Sequence, residues 1–188
     1  FTNAVAKEVG LAGRMHNQSF DTLIEGNETG KIDAAISGMT ITDARKEKVD
    51  FSEPYYYAAQ VIVVREGTSG FTKIDDIKGK KVGVQLGTTG ALMAEEAMGE
   101  DNPDLKQLRK YNMVFSELKL SRIDAVVVDK PVAEAYPKQA DGLKNSSPPT
   151  SEEPYGTVVK KGTADLLGKT NQCQRKLRVN AESDPTPK

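Results

Sequence analysis

The chain has 188 residues, of which 37% are hydrophobic and 28% are charged, and its formal net charge is −1. That length can bury a sizeable core, and this balance excludes an intrinsically disordered chain. It also argues against nucleic-acid binding, which requires a clustered excess of Lys and Arg, and no stretch approaches the roughly 18 consecutive apolar residues of a membrane-spanning helix.

The chain opens with two predicted amphipathic helices. Phe1, Val5 and Val9 are spaced i, i+4, i+8 and form one apolar helical face, which a glycine at position 10 or 13 ends. The second helix begins around Phe20, with Ser19 available as its N-cap, and ends within residues 26–30.

The next elements are short and apolar. Lys31–Gly38 predicts a buried strand of a parallel sheet, and Thr42 is expected to cap a brief helix over Asp43–Arg45. The Val- and Ile-rich run Ala58–Arg65 predicts a second strand.

The pattern of strand, glycine loop and helix is repeated after Gly67. Lys81–Gln85 predicts a strand, Leu86–Gly90 a loop, and Ala91, Ala94 and Met98 the apolar face of the following helix. The alternation of strands and helices indicates an α/β fold with parallel sheets.

The rest of the chain contains six further predicted elements. They are a strand at Leu108–Tyr111, a helix at Val114–Leu118, a buried strand at Ile123–Val128 that leads to Asp129, a loop over 141–153, a strand at Tyr155–Lys161 and a helix at Ala164–Val179. The start of the last buried strand, Arg122–Ala125, is similar to Lys31–Ala34, which chance or a pair of similar lobes would explain.

Ligands of parallel α/β sheets gather beyond the carboxyl ends of the strands, so three places are candidate sites. The first is Ser37–Arg45, where Gly38 permits close backbone approach and Arg45 provides a guanidinium fork that matches a carboxylate. The alternative is that Arg45 is a surface arginine paired with a neighbouring acid.

The second candidate is Gly87–Gly90, where glycines allow a tight turn and the amides and threonine hydroxyls at a helix start favour an anion. It matches neither a Walker A loop nor GxGxxG. The alternative is an ordinary helix cap.

The third candidate is Asp129, whose carboxylate at the end of a buried strand suits an ammonium group. The alternative is a plain capping aspartate before Pro131. Together, an arginine with amides and an aspartate match the zwitterionic end of an amino acid.

These residues also carry a family resemblance. Gly30–Arg45 and Val49–Tyr56 resemble the polar amino acid-binding proteins of bacterial ABC uptake systems, extracellular solute-binding family 3. The similarity continues through Asp75–Thr89, Arg122–Asp129 and Tyr155–Gly156.

The resemblance implies a two-lobed type II periplasmic-binding-protein fold. Lobe 1 would be residues 1–61 and 160–188 and lobe 2 residues 62–159, with hinge strands near 61–65 and 156–160. Family members begin with a strand and loop that help to form the side-chain pocket, and this chain starts after that segment. They also usually end with an aromatic-bearing helix, whereas residues 180–188 contain two prolines.

The resemblance also implies roles for individual residues. Arg45 and the amides near Gly38 and Thr40 would hold the ligand carboxylate, Thr89 would reach the same carboxylate from lobe 2, and Asp129 would bind the α-ammonium. The expected ligand-binding set is Ser37, Gly38, Met39, Thr40, Arg45, Gln85, Thr88, Thr89 and Asp129. Gln85 and the Gly87–Gly90 loop resemble those of binders of basic amino acids.

The expected function is to bind a free polar or basic amino acid, such as arginine, lysine, histidine or glutamine, and to deliver it to the membrane permease of an ABC importer. A sensing domain of a membrane receptor, or a dehydratase on the same fold, are the alternatives. A dehydratase needs a general acid or base, for which Glu53, Asp129 and His16 are loose candidates without paired partners.

The remaining expectations concern cofactors, assembly and location. One cysteine, Cys173, allows no internal disulfide, and His16 alone cannot build a histidine metal site, so we expect no cofactor or metal. We expect a monomer in the periplasm or outside the cell, with or without a lipid anchor. The first residues lack the features of a signal peptide, which a mature secreted protein would have lost.

Overall fold

The computed structural model describes residues 2–8, 10, 12–136 and 142–183. The helices are α1 (Thr2–Glu8), α2 (Leu23–Glu28), α3 (Asp43–Lys46), α4 (Thr89–Met98), α5 (Tyr111–Lys119), α6 (Lys130–Ala135) and α7 (Ala164–Ser183). The strands are β1 (Ala34–Thr40), β2 (Val49–Phe51), β3 (Tyr56–Ala58), β4 (Gln60–Arg65), β5 (Val82–Gln85), β6 (Leu105–Leu108), β7 (Ala125–Asp129), β8 (Leu143–Asn145) and β9 (Glu153–Lys160).

The chain divides into two units. Unit 1 comprises Phe1–Gln18, Thr22–Tyr56 and Pro154–Lys188, and unit 2 comprises Ser19–Asp21 and Tyr57–Glu153. The main crossings therefore lie at positions 56/57 and 153/154, a few residues before the strands chosen from the sequence as hinges. This mixed α/β architecture with two sheets confirms the expected fold class.

Unit 1 is built around β9, which lies between β1 and β2 and is antiparallel to both. Its core includes Met39, Val49, Val158 and Val159, each at most 1% exposed. Val158 and Val159 are neighbours in β9 and point to opposite faces, so both faces of the central strand are buried, which stabilises the sheet by removing apolar surface from water.

Polar contacts, two of them buried, attach α7 to this sheet. The Gln174 Nε2 atom donates to Ser52 Oγ at 3.0 Å and to Thr157 Oγ1 at 2.9 Å. The Asn171 side chain accepts from the Glu53 N–H at 2.9 Å. These bonds fix the register of the helix against the strands.

Unit 2 contains a sheet of order β6-β5-β7-β4-β8, in which β5 is parallel to β6 and β7 while β4 is antiparallel to β7 and β8. One cluster joins Val61 and Val63 of β4 to α5, and another joins Ile62 and Val64 to α4. Both faces of β4 are covered, which explains why its sequence is continuously apolar rather than alternating.

Several sequence predictions need correction. The strand predicted at Lys31–Gly38 lies at Ala34–Thr40, and its pairing with β9 is antiparallel rather than parallel. The strand predicted at Leu108–Tyr111 is instead Leu105–Leu108, which pairs with β5. The cap predicted at Ser19 is wrong, because a 3₁₀ turn at Phe20–Thr22 intervenes and Thr22 holds the N-cap position of α2.

Other predicted elements are confirmed within a few residues, among them α3 with Thr42 as its cap, β4, β5, α4, β7, β9 and α7. Helix α6 was not predicted. Some predictions involve residues outside the described ranges: Phe1 and Val9 of the first helix, Asp141 of the loop, and positions 184–188.

Candidate functional site

Arg45 lies in the short helix α3 of unit 1. Its N–H donates to Thr42 Oγ1 at 3.3 Å, which is the predicted cap, and the residue is only 9% exposed. The guanidinium Nη1 donates to the Thr40 carbonyl oxygen at 2.7 Å. The structure therefore contradicts the alternative of a surface arginine. The bond to Thr40 orients a rigid, permanently charged fork.

Gly38 lies in β1 with φ +65°, where pairing with β9 is interrupted between Ala35 and Met39. Its N–H donates to the Tyr55 hydroxyl at 3.1 Å, and a Cβ at this position would lie 3.1 Å from the Tyr155 ring. Burial raises the pKa of Tyr55, and the bond from Gly38 opposes that rise. The Gly38 amide, expected from the sequence to meet a ligand, thus has a partner inside unit 1.

The other predicted residues of unit 1 differ in accessibility. Ser37 is exposed and lines a cavity of about 500 Å³ beside β1, together with residues of the 12–18 segment. Thr40 is 6% exposed and Met39 is 1% exposed within the core, so Met39 can offer a ligand only its backbone. Of the predicted site residues, Ser37 alone lines that cavity.

Thr88 of unit 2 is the N-cap of α4. Its Oγ1 accepts from the Ala91 N–H at 3.1 Å and donates to the Gln85 carbonyl at 2.8 Å. The Gln85 side chain in turn donates to the Arg109 carbonyl at 2.9 Å. For Thr88, the interpretation as an ordinary helix cap is correct. Thr88 and Gln85 both hold the loop in place.

Gly87 has φ +80°, and a Cβ there would lie 3.1 Å from Cα of Asp21. The left-handed backbone and this close approach together require glycine. They deliver the chain into α4 so that Thr89 is the first helical residue, where backbone N–H groups have no partner within the helix.

Asp129 ends β7 and holds the N-cap position of α6, but its side chain makes no cap hydrogen bond. It is 7% exposed, and its Oδ1 accepts a hydrogen bond from Gln60 Nε2. Gln60 is its direct Cα partner across the β4–β7 pair. The alternative of a plain capping aspartate is therefore wrong, because the carboxylate is used elsewhere.

The sequence analysis missed two residues that contact Thr89, namely Gln60 and Glu153. The Thr89 hydroxyl accepts from Gln60 Nε2 at 3.2 Å and donates to Glu153 Oε2 at 2.6 Å. Gln60 is fully buried and Glu153 is 5% exposed. A signal existed for Gln60, because a polar residue within the apolar run Ala58–Arg65 requires an explanation. Glu153 lies more than 60 residues from Thr89, and nothing local marks it.

Tyr111 is the first residue of α5, and its pKa reflects the charges of the nearby carboxylates. Its pKa is raised, first by burial and then by the charges of Asp129 and Glu153. The two carboxylates thus act on one partly buried phenol, so they contribute to a common negative potential around it. Such a potential favours a cation, while the start of α4 favours an anion.

Unit 1 therefore presents a buried guanidinium, and unit 2 presents a carboxylate next to a helix N-terminus. The described residues include no group of three or more His, Cys, Asp or Glu that could hold a metal ion. No helix within the described ranges is long and apolar enough to cross a bilayer. The guanidinium suits an anionic group of a ligand, and the carboxylate suits a cationic group.

Comparisons with known proteins identify the family of this chain. The model of the bacterial extracellular solute-binding proteins, family 3, matches residues 1–184, and the chain belongs to this family. The description of the family places its members outside the cell. The arginine-binding extracellular protein ArtP of Bacillus subtilis is 32% identical over 187 residues, 98% of this chain and 73% of ArtP. The L-arginine-binding protein of Pseudomonas aeruginosa is 33% identical over 188 residues, 96% of this chain and 73% of that protein.

Among solved structures, an ancestral arginine-binding protein bound to arginine superposes with a TM-score of 0.89 at 41% identity. The match covers 95% of this chain and 80% of that one, and the same figures hold for its glutamine-bound form. The relatives named here are binding proteins.

Proposed function

We propose that this protein binds a free amino acid and delivers it to the membrane permease of an ABC importer, and that it is not an enzyme. The observation that carries the proposal is the buried carboxylate of Asp129, which stands at an N-cap position and makes no cap bond. A carboxylate kept out of water and out of the helix cap suits a ligand cation.

The proposed division of roles follows from charge. Arg45 of unit 1 binds the α-carboxylate of the ligand, because a guanidinium fork matches a carboxylate bidentately. In unit 2 the amides at the start of α4, at Thr89, suit a carboxylate, and Asp129 binds the α-ammonium. Ser37, Thr40 and the backbone of Met39 supply further polar contacts from β1, whereas Gln85 and Thr88 act by shaping the loop.

Arginine is the first ligand to test, since both named relatives and the named solved structure are arginine-binding proteins. The carboxylates of Asp129 and Glu153 also contribute a negative potential around Tyr111, which favours a basic amino acid. Lysine, histidine and glutamine are the next candidates. We place the protein in the periplasm or at the outer cell surface, where a permease can receive the ligand.

The physical basis of delivery is a shift of conformational population. A ligand favours whichever conformation of the protein binds it more tightly, and it shifts the population only by that difference in affinity. Mutations that remove a proposed ligand contact should therefore weaken binding.

A thermal-shift screen of the chain against the twenty amino acids tests the proposal. An amino acid at 100 times its Kd should stabilise the protein by about 2.7 kcal/mol. We expect arginine to raise the Tm, and the arginine analogue without its α-amino group, 5-guanidinopentanoate, to have a much smaller effect. If none of the twenty amino acids raises the Tm, the proposed function is wrong.

A further inference from the structure

Gln60 connects Thr89 and Asp129, the two residues of unit 2 that are proposed to contact the ligand. Its single side-chain nitrogen, Nε2, donates both to Asp129 Oδ1 and to Thr89 Oγ1. The residue is 0% exposed, and the β4–β7 register places it directly opposite Asp129. One buried amide thus touches both the group proposed for the ligand ammonium and the start of the helix proposed for its carboxylate.

The bridge belongs to a closed set of hydrogen bonds. Thr89 donates to Glu153 Oε2 at 2.6 Å, Ser151 Oγ donates to Glu153 Oε1 at 3.3 Å, and the Gln60 N–H donates to Ser151 Oγ at 3.0 Å. The Gln60 carbonyl accepts from Thr150 N–H and Oγ1 at 3.0 and 3.1 Å. Both the backbone and the side chain of Gln60 are therefore held in one position.

The donor direction in this ring is fixed by chemistry. Because Nε2 can only donate, the Asp129 Oδ1 atom is the acceptor in this bond. Because the Thr89 hydroxyl accepts from Gln60 and donates to Glu153, its proton points to Glu153. A ligand carboxylate is then met at Thr89 by the backbone N–H rather than by the hydroxyl.

A purely structural role would not select this residue. The rest of β4 is Val61, Ile62, Val63, Val64 and Arg65, and an apolar side chain at position 60 would bury surface without a polar group. The Gln60 Oε1 atom has no hydrogen-bond partner among the described residues, which is unfavourable in a buried position. Room for that oxygen requires Gly90, where a Cβ would lie 2.8 Å from it.

We propose that Gln60 is a positioning residue for ligand binding: its side-chain amide aligns the Asp129 carboxylate and the start of α4 for the two ends of an amino acid. The inference rests on the proposed function. It assigns to Gln60 no direct contact with the ligand.

The test is a double-mutant cycle measured by calorimetry on the full chain with L-arginine. Gln60→Met keeps length and burial but removes the donor, and Asp129→Asn removes the charge that Gln60 aligns. Gln107→Met is the matched control, since Gln107 also donates to a carboxylate of unit 2, that of Glu95. Unfolding by urea establishes that each variant is folded.

We expect Gln60→Met to lower the arginine affinity by about tenfold or more, and by less than about threefold in the Asp129→Asn background, because residues in one network are coupled. The control should stay within about twofold of wild type. If Gln60→Met binds like wild type, or loses equally in both backgrounds, the inference is wrong. Wild-type protein that binds no amino acid would instead refute the proposed function.

A second variant, Gln60→Glu, serves if Gln60→Met does not fold. A carboxyl at position 60 can donate to Asp129 only while the pair shares a proton, so two adjacent carboxylates repel as pH rises. We expect the arginine affinity of Gln60→Glu to fall between pH 5 and pH 8 more steeply than that of wild type. A parallel pH profile in the two proteins would overturn the positioning role.

Discussion

The replacement Asp129→Asn separates ligand recognition from folding. The side chain keeps its shape, and its Oδ1 can still accept from Gln60 Nε2, but the negative charge is lost. Asp129 is 7% exposed, so a ligand ammonium bound there is largely desolvated. Truncating one partner of such a charge pair costs about 2–5 kcal/mol, which corresponds to a loss of affinity of about 30-fold to 4,000-fold.

The matched control lies just before the other end of the same strand. Asp124 directly precedes β7, is 41% exposed in its side chain and faces Arg65 at 3.8 Å. Asp124→Asn should leave the affinity for L-arginine unchanged and cost about 0–1 kcal/mol of stability, as is usual for exposed ion pairs.

Calorimetric titration gives the affinities, and urea unfolding without ligand gives the stabilities. We expect Asp129→Asn to unfold close to the wild-type midpoint while its affinity collapses. Affinity equal to that of wild type would refute the role of Asp129. A loss of the same size in Asp124→Asn would show that the effect is not specific to the site.

Three further outcomes are expected. Arg45→Lys should weaken arginine binding in calorimetry by about 2 kcal/mol or more, because an ammonium cannot form the two parallel bonds of a guanidinium fork; unchanged affinity would contradict this. Gly83→Ala should lower the free energy of unfolding in urea by about 1–3 kcal/mol. The reason is that its Cβ would lie 2.5 Å from Ile123 Cδ1 and 2.8 Å from Val114 Cγ1. A variant as stable as wild type would show that these side chains can move aside at little cost. The pKa of Tyr111 is raised in the folded protein, so folding favours the neutral phenol. This contribution to stability is complete below the ordinary tyrosine pKa of about 10 and is lost as the pH rises above that value. Tyr111→Phe should therefore flatten the alkaline fall of the urea midpoint, and an unchanged slope would argue against that shift.

Local patterns predicted the elements that depend on local causes. The cap at Thr42, the apolar runs that became β4 and β7, and the glycine loop before α4 all rest on nearby residues, and all are present. In each case a hydrogen bond or a buried face lies within a few positions of the signal.

The wrong strand direction and the missed bridge arose where the deciding partner is distant in sequence. The direction of β1 is set by β9, more than 110 residues later, and no periodicity in residues 31–38 contains that information. The bridge from Gln60 to Asp129 spans 69 positions and depends on the β4–β7 register. The charged residues Arg45 and Asp129 were found because their chemistry is visible in isolation, whereas Gln60 acquires its role only through what it touches.

The position of β9 also constrains the order in which the chain can fold during synthesis. Most of unit 2 is contiguous, at residues 57–153, so its sheet can form as soon as that stretch has emerged. The central strand of unit 1 is β9, and neither β1 nor β2 can pair with it until residues 153–160 have been made. Domains that emerge complete fold first, so residues 22–56, although translated before most of unit 2, complete their sheet only after it.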